Sequence, residues 1–435
     1  MTGREIAVQA LLHCEKQNAW SDAYLNALLL REKPEEREAA LGYRIFAGVL
    51  QNREACDWYL RPYLRGKIQP EIRAILRSAV YQLAFLDKIP VSAAVNEAVG
   101  LAKKRTNPGA AKLTNAVLRR LTSAPLPELP MGDDAESLSI RYSHPAEWTA
   151  YYRELLGVEK TRELLENNNR PAPTCLRVNR LKATAEEALA SLREDGVEAQ
   201  PMAMADFFTV RQTGAIPALR AFREGLVTVQ DPAAALPALA AGVKPGMRVL
   251  DACAAPGGKS FLLAQQTENR GSILSCDLHE NKLRHIREGA ERLGISCIET
   301  KTQDARQPDP ALKEAFDVIL ADVPCSGLGV VRKKPEIRYK TMDEISPLPL
   351  TQSAILEGLS ACLKPGGVLL YSTCTLVEAE NGAVVDAFLE RHPEFSREPL
   401  PLPEPFGLTE SGERTIWPFE YDTDGFFLCR MRKKT

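Results

Sequence analysis

The sequence lacks any apolar run approaching the roughly 18 residues of a membrane-spanning helix, although 45% of its 435 residues are hydrophobic. It also lacks the apolar core of a signal peptide, because an amphipathic pattern follows directly on Met1 to Glu5. We therefore expect a cytoplasmic protein with no membrane partner. The length is sufficient for about three domains.

Metal-site spacings are absent as well. The ten cysteines include no Cys-x-x-Cys pair and no cysteine–histidine ligand spacing. We therefore predict no metal centre, and we expect most of these thiols to be buried in a reducing cytosol. The chain also lacks GxGxxG and GxxxxGK[ST], which argues against a dinucleotide or a nucleoside triphosphate as its ligand.

Net charge is small, at −2, but it is unevenly distributed. Residues 1–125 carry 19 basic and 12 acidic residues, whereas the remainder carries 36 basic and 45 acidic residues. A basic N-terminal region on an otherwise acidic chain is typical of nucleic-acid binding. On charge alone, a solvated helical surface explains the excess equally well.

Residues 1–125 show apolar residues at helical spacing without strand-like alternation, which predicts an all-α bundle. Thr2 and Ser92 are positioned to cap two of its helices. The Pro-rich stretch APLPELP then marks a boundary, and we place a linker at 126–143. Basic residues late in the bundle are candidate RNA contacts: Lys103, Lys104, Arg105, Arg119 and Arg120.

Residues 144–235 begin with a long helical pattern and continue as strand, helix and strand, which predicts a helical plus small α/β subdomain. Its assignment as RNA-binding rests on the family resemblance described below. Over residues 236–435, strands alternate with helices, which indicates a doubly wound parallel sheet. We expect the last two strands to form an antiparallel pair. The predicted fold class is thus α/β, preceded by a small α/β insert and an all-α bundle.

Polar residues follow the strands of this sheet at their carboxyl ends, where open α/β sheets bind ligands. The loop DACAAPGGKS follows the first strand, and Gly257 and Gly258 allow a ligand to approach its backbone closely. Asp277, Asp304 and Asp322 end the next three strands. A single aspartate would suggest a helix cap, but the set around one glycine loop favours a nucleoside cofactor.

Two cysteines also follow buried strands. Cys325 lies in FDVILADVPCSGLG and Cys374 in VLLYSTCTLVEAENG. Their neighbours are Ser, Thr, Pro and Gly rather than Leu and Val, which argues against buried structural thiols. A basic run that follows Cys325 is expected to contact RNA phosphates, the alternative being a solvated loop. Its candidate residues are Arg332, Lys333, Lys334 and Arg338.

Together, these motifs resemble the RNA 5-methylcytidine methyltransferases of the Nop/Sun type over residues 144–435. The helical region, with NEAVGLAKKR and TNAVLRRL, is similar to the NusB-type RNA-binding domain. The pairing points to a bacterial subfamily acting on 16S rRNA. The resemblance implies a Rossmann-like class I S-adenosylmethionine methyltransferase sheet after a NusB-like bundle. We expect a monomer whose partner is 16S rRNA or a small-subunit assembly intermediate, and not DNA.

The resemblance also implies S-adenosylmethionine as cofactor. Asp277 would hold its ribose, Asp304 would lie near its adenine, and Asp322 would both contribute to this site and bind the cytosine ring. The loop residues that would line it are Cys253, Ala254, Ala255, Pro256, Gly257, Gly258 and Lys259.

The two thiols have chemically distinct tasks in such a reaction. Carbon 5 of cytosine is a poor nucleophile, and thiolate addition at carbon 6 converts the ring into an enamine that attacks a methyl donor. A base must then remove the proton from carbon 5. In the family the Thr-Cys thiol attacks and the Pro-Cys thiol assists release, which implies these roles for Cys374 and Cys325.

Two alternatives remain open from the sequence. A DNA cytosine-C5 methyltransferase would use Cys325 as its nucleophile, and it would leave Cys374 unexplained. A NusB-like RNA-binding assembly factor without catalysis would leave the whole Asp, Gly and Cys set without a role.

Overall fold

The computed structural model describes residues 1–17, 21–211 and 214–435. The chain divides into two compact units. Unit 1 comprises Met1–Arg170 and Val331–Thr341, and unit 2 comprises Pro171–Val330 and Met342–Thr435. Within the described residues, no helix is both long and apolar enough to cross a membrane.

Unit 1 is helical, as its periodicity predicts. Apolar side chains such as Ile6, Phe46 and Ile75 lie on facing helices and form one buried core. The helices are α1 (Gly3–Gln17), α2 (Ser21–Glu32), α3 (Glu36–Gln51), α4 (Arg53–Leu60), α5 (Pro70–Phe85), α6 (Val91–Arg105), α7 (Pro108–Leu121), α8 (Ala135–Tyr142) and α9 (Ala146–Asn169).

Of three local predictions in this unit, the Thr2 cap is confirmed and the other two need correction. The hydroxyl of Thr2 accepts a hydrogen bond from the Glu5 amide at 3.3 Å, as a cap should. Ser92 is not a cap, because α6 begins at Val91 directly after Pro90. The predicted linker 126–143 contains helix α8, whose first turn is capped by Asp134.

Arg338, predicted to contact RNA, is instead buried in unit 1 with 1% of its surface exposed. Its guanidinium donates to the carbonyl oxygens of Ser143, Asn168 and Gln51 at 3.1, 3.3 and 3.3 Å, and to Asn169 Oδ1 at 2.8 Å. These acceptors lie at the carboxyl-terminal ends of α8, α9 and α3, where carbonyls lack helical partners. A residue that the sequence places in a solvated basic run therefore satisfies buried helix ends.

Unit 2 begins with a small antiparallel sheet in the order β2-β3-β1-β4. A helix between its first two strands covers one face, and Leu176, Leu192 and Phe208 lie in the core between them. The elements are β1 (Thr174–Val178), α10 (Ala185–Glu194), β2 (Glu198–Pro201), β3 (Phe207–Arg211), α11 (Arg220–Arg223) and β4 (Val227–Val229).

The larger sheet of unit 2 has the order β10-β12-β9-β8-β5-β6-β7, with β11 paired to β12. Strands β5 to β9 are parallel, and β12 is antiparallel to β11, as predicted. Strand β12 is also antiparallel to β9, a pairing that was not predicted. The elements are α12 (Pro232–Ala240), β5 (Arg248–Asp251), α13 (Gly258–Gln266), β6 (Ser272–Asp277), α14 (Glu280–Leu293), β7 (Ile298–Thr302), β8 (Phe316–Asp322), α15 (Met342–Ile345), α16 (Leu348–Ser360), β9 (Leu363–Thr373), α17 (Gly382–Arg391), β10 (Phe395–Arg397), β11 (Glu413–Ile416), α18 (Pro418–Tyr421) and β12 (Phe426–Lys433).

The strand order reverses between β5 and β8. From β5 the chain builds outward through β6 and β7, and then returns to place β8 on the other side of β5. Ligands of doubly wound sheets bind at the carboxyl ends beside such a switch point. Asp251 ends β5 and Asp322 ends β8, so both carboxyl groups lie at this edge. The Rossmann-like fold class is therefore confirmed.

Candidate active site

The two candidate thiols meet at the carboxyl edge of the sheet. Strands β8 and β9 are parallel neighbours, and their register pairs Asp322 with Ser372. The loops that follow the two strands therefore begin side by side at the carboxyl edge of the sheet. The Sγ atoms of Cys325 and Cys374 lie 3.3 Å apart, within hydrogen-bonding distance for sulfur.

The two thiols are electrostatically different. The hydrogen bond from Cys325 lowers the pKa of Cys374 below that of an ordinary thiol. The same hydrogen bond, together with burial, raises the pKa of Cys325 well above the ordinary value. These opposite pKa shifts favour the thiolate on Cys374 over the thiolate on Cys325. The thiolate is the nucleophilic form of cysteine.

Asp322 lies beside this pair and is held at both carboxylate oxygens. Lys259 Nζ donates to Oδ2 at 2.7 Å, and the Ser372 hydroxyl donates to Oδ1 at 2.8 Å. Burial would lower the pKa of Lys259, but the carboxylate of Asp322 raises it, and the net shift is upward. Lys259 thus remains an ammonium that neutralises Asp322, and it also lies 5.2 Å from the Phe426 ring centroid.

The glycine loop between β5 and α13 keeps its backbone close to the sheet. The amide of Ala254 donates to the Cys276 carbonyl at 2.7 Å, and the amide of Gly257 donates to the Ala254 carbonyl at 2.7 Å. Gly257 has φ +109°, and a Cβ there would lie 2.6 Å from the ring of Phe261. A side chain at this position would therefore clash within the loop, which explains the glycine.

Asp251 is a site residue that the sequence did not single out. It is 1% exposed, and its Oδ2 accepts a hydrogen bond from Ser260 at 2.6 Å. Its Oδ1 is buried with no hydrogen-bond partner among the described residues. Burial raises the pKa of Asp251 to about 7. An unmatched buried oxygen beside the glycine loop is suited to a ligand donor. The signal was its position as the first strand-end aspartate.

Three stretches of the chain match known protein families. The 16S rRNA methyltransferase RsmB/F model matches residues 238–432, the NusB family matches residues 1–123, and a ferredoxin-like domain of RsmF/B-like methyltransferases matches residues 144–215. The probable ribosomal RNA small subunit methyltransferase B of Bacillus subtilis (strain 168) is 37% identical over 99% of this chain and 98% of its own length. The chain belongs to the ribosomal RNA small subunit methyltransferase B family.

Solved structures agree with this assignment. The crystal structure of PH0851 matches with a TM-score of 0.83 and 28% identity, covering 99% of this chain and 98% of that one. A methyltransferase homologue from Pyrococcus horikoshii matches with a TM-score of 0.60 and 31% identity, covering 70% of this chain and 100% of that one. The predicted resemblance to the Nop/Sun methyltransferases with a NusB-like domain is confirmed.

The remaining predicted cofactor residues of this methyltransferase differ in their surroundings. Asp277 is 8% exposed, and its Oδ1 accepts the His279 amide at 3.0 Å and lies 3.7 Å from Lys282 Nζ. Asp304 is held by Arg306, whose guanidinium lies 2.7 Å from Oδ2 and lowers the carboxyl pKa. The carboxylate of Asp304 is thus already paired with a protein side chain.

The predicted RNA-binding residues lie in unit 1. Lys104 pairs with Glu5, and Arg105 lies 3.8 Å from Glu71. Arg332 donates to the Arg170 carbonyl at 3.3 Å. Basic side chains at the carboxyl-terminal ends of α6 and α7 are exposed, and they are Lys103, Lys104, Arg119 and Arg120.

Proposed function

We propose that this methyltransferase transfers a methyl group from S-adenosylmethionine to carbon 5 of a cytosine in 16S rRNA. Cys374 is the nucleophile and Cys325 assists release of the product. The proposal is supported above all by the two sulfurs, which lie 3.3 Å apart beside a lysine-paired Asp322. Family membership supports the choice of ribosomal RNA as substrate.

The cofactor pocket lies at the switch point between β5 and β8. The unmatched Oδ1 of Asp251 and the close backbone at Gly257 and Gly258 fit a ligand that carries amine and hydroxyl donors. Asp277 would accept hydrogen bonds from ribose hydroxyls at the end of β6. When bound, S-adenosylmethionine supplies an electrophilic methyl group on a positively charged sulfur.

Attack on the base belongs to Cys374. Its thiolate adds to carbon 6 of cytosine, and the electron pair of the double bond between carbons 5 and 6 moves to carbon 5. Asp322 accepts a hydrogen bond from the exocyclic amine, and Lys259 Nζ donates to the same carboxylate at 2.7 Å and balances its charge. The base must be unstacked from its neighbours to reach this edge of the sheet.

Release belongs to Cys325. Before attack, the hydrogen bond to Cys374 raises the pKa of Cys325. Once Cys374 is bonded to carbon 6 and carbon 5 carries the transferred methyl group, the charge on Cys374 is gone, so Cys325 gives up its own proton to solvent more readily. It then takes the proton from carbon 5, the ring double bond re-forms, and the bond between sulfur and carbon 6 breaks. The opposite pKa shifts support this order, in which Cys374 acts first and Cys325 second.

The test is methyl transfer from labelled cofactor to unmodified 16S rRNA, followed by digestion to nucleosides. We expect label in 5-methylcytidine, and bisulfite sequencing should place it at a single cytosine. In a parallel reaction with DNA in place of rRNA, label in cytosine would favour the DNA methyltransferase alternative. Tight RNA binding without transfer would favour the assembly-factor alternative. Label in any other nucleoside would overturn the proposal.

A further inference from the structure

Two adjacent buried polar residues follow the nucleophile loop, and the chemistry above assigns them no role. Glu380 is 0% exposed and Asn381 is 1% exposed. Burial of a carboxylate and an amide is costly unless their hydrogen bonds are made. Their partners therefore show what these two residues do.

Glu380 holds both sides of Cys325. Its Oε2 accepts the amide of Ser326 at 2.8 Å, directly after the cysteine. The same oxygen accepts Gln352 Nε2 at 3.0 Å, and that nitrogen also donates to the Pro324 carbonyl at 3.1 Å, directly before the cysteine. The peptide groups that flank Cys325 are thus fixed through one carboxylate.

Asn381 holds both sides of Cys374. Its Oδ1 accepts the hydroxyl of Thr373 at 2.6 Å, and its Nδ2 donates to the Thr375 carbonyl at 3.1 Å. A carboxylate could accept the first of these bonds but could not donate the second. An amide is therefore needed at this position, just as an acceptor is needed at Glu380.

The two loops are also tied to each other. The hydroxyls of Ser326 and Thr375 lie 2.6 Å apart, and the Tyr371 hydroxyl donates to the main-chain carbonyl of Glu380 at 2.6 Å. All of these groups are buried. One dipeptide therefore fixes the separation of two sulfurs that arise from different strands.

We propose that Glu380 and Asn381 are positioning residues for separate steps, Glu380 for release through Cys325 and Asn381 for attack through Cys374. This inference rests on the proposed function. Small displacements of a reacting group cost orders of magnitude in rate. Loss of either residue should therefore slow mainly the step of the cysteine that it holds.

The experiment measures two quantities for each variant of the full-length protein with 16S rRNA. They are the single-turnover rate of methyl transfer and the fraction of protein linked to RNA on a denaturing gel. For Glu380→Ala we expect transfer within a few-fold of wild type, about tenfold slower steady-state turnover and an accumulating adduct. For Asn381→Ala we expect transfer to fall about tenfold or more, with no accumulating adduct.

Control variants separate positioning from general destabilisation. Glu378→Gln changes an exposed carboxylate in the same turn and should behave as wild type. Glu380→Gln retains an acceptor oxygen and should restore release relative to Glu380→Ala. Gln352→Leu releases the Pro324 side alone and should accumulate adduct to a lesser extent, which keeps the test available if Glu380→Ala does not fold.

Equal losses in both quantities for Glu380→Ala and Asn381→Ala, tracking their melting temperatures, would overturn the inference. Failure of the proposed function is recognised separately with RNA containing 5-fluorocytidine. Fluorine cannot leave carbon 5 as a proton does, so wild-type protein should become trapped on this RNA. No trapping by wild type rejects the covalent mechanism, whereas trapping with identical behaviour of the variants rejects only the positioning roles.

Discussion

Cys325 and Cys374 have the same kind of side chain, their Sγ atoms lie 3.3 Å apart, and they follow neighbouring parallel strands. Their pKa values nevertheless shift in opposite directions. Their mutual hydrogen bond is the largest cause of both shifts. Lys259 also lowers the pKa of Cys374, although Asp322 opposes it, and burial and the charge of Glu380 also raise the pKa of Cys325. The difference teaches that the role of each thiol is set by the direction of one hydrogen bond and by its charged neighbours.

The largest expected effect comes from deleting each thiol in turn. Cys374→Ala removes the nucleophile, so it should be inactive and leave RNA unlinked. Cys325→Ala retains the nucleophile but lacks the base, so it should accumulate a protein–RNA species that survives a denaturing gel. The double variant should show no such species.

The reverse pattern would contradict the roles assigned to the two thiols. A linked species with Cys374→Ala and none with Cys325→Ala would make Cys325 the nucleophile, as in the DNA methyltransferase alternative. The appropriate control is Cys362→Ala, which removes a buried thiol in the turn before β9 and should leave the gel pattern unchanged.

A change in the proposed cofactor pocket should weaken cofactor binding without distinguishing the role of Cys325 from that of Cys374. Asp277→Ala removes an acceptor for the ribose hydroxyls, and charged hydrogen bonds of this kind contribute about 1.5–3 kcal/mol. We expect S-adenosylmethionine to bind roughly ten- to a hundredfold more weakly in calorimetry. Unchanged affinity would assign Asp277 to its local bond with the His279 amide instead.

Arg338 lies in the segment that follows Cys325 in the chain, and its replacement tests how that segment is anchored within unit 1. Arg338→Ala leaves carbonyls at three helix ends without a donor, and we expect about 2–4 kcal/mol less stability of unit 1 in denaturant unfolding. Arg332→Ala removes a half-buried side chain that donates to the Arg170 carbonyl, and it should cost less than about 1 kcal/mol. Equal losses would contradict the anchoring role.

The smallest effect concerns pH. The pKa of Cys374 is lowered first by the hydrogen bond from Cys325, so the thiolate forms at a lower pH than that of a free thiol. In Cys325→Ala this bond is lost, and the rising limb of the single-turnover rate against pH should move upward. Cys325→Ser retains a hydroxyl donor and should move it less. A downward shift would contradict the assigned direction of the hydrogen bond.

Much of the site could be predicted because it depends on local sequence. Buried parallel strands are apolar runs, and Asp322, Cys325 and Cys374 follow two of them directly. Once β8 and β9 are neighbours, their carboxyl ends must coincide. The sequence therefore predicts the sheet and the place of each thiol at its carboxyl edge, whereas the pairing of β8 with β9 that brings the thiols together is seen only in the structure.

What could not be predicted depends on tertiary contacts. Lys259 contacts Asp322 although 63 positions separate them, and its place in the glycine loop suggested only a cofactor role. The burial of Arg338 depends on three helix ends that meet around it. Helix α8 was missed for a local reason, since the proline-rich stretch before it dominated the interpretation, although Asp134 was a readable cap.

The membership of residues 331–341 in unit 1 has a consequence for how this protein can be divided. The chain leaves unit 2 after Val330 and re-enters it at Met342. A truncated gene starting at Pro171 would encode an orphaned guanidinium a short distance downstream of Cys325, with none of the carbonyls that receive it. Unit 1 therefore is not a detachable accessory. Domain shuffling that exchanged it would also have to exchange an internal stretch of the methyltransferase, and expression of the catalytic half alone calls for a redesigned loop.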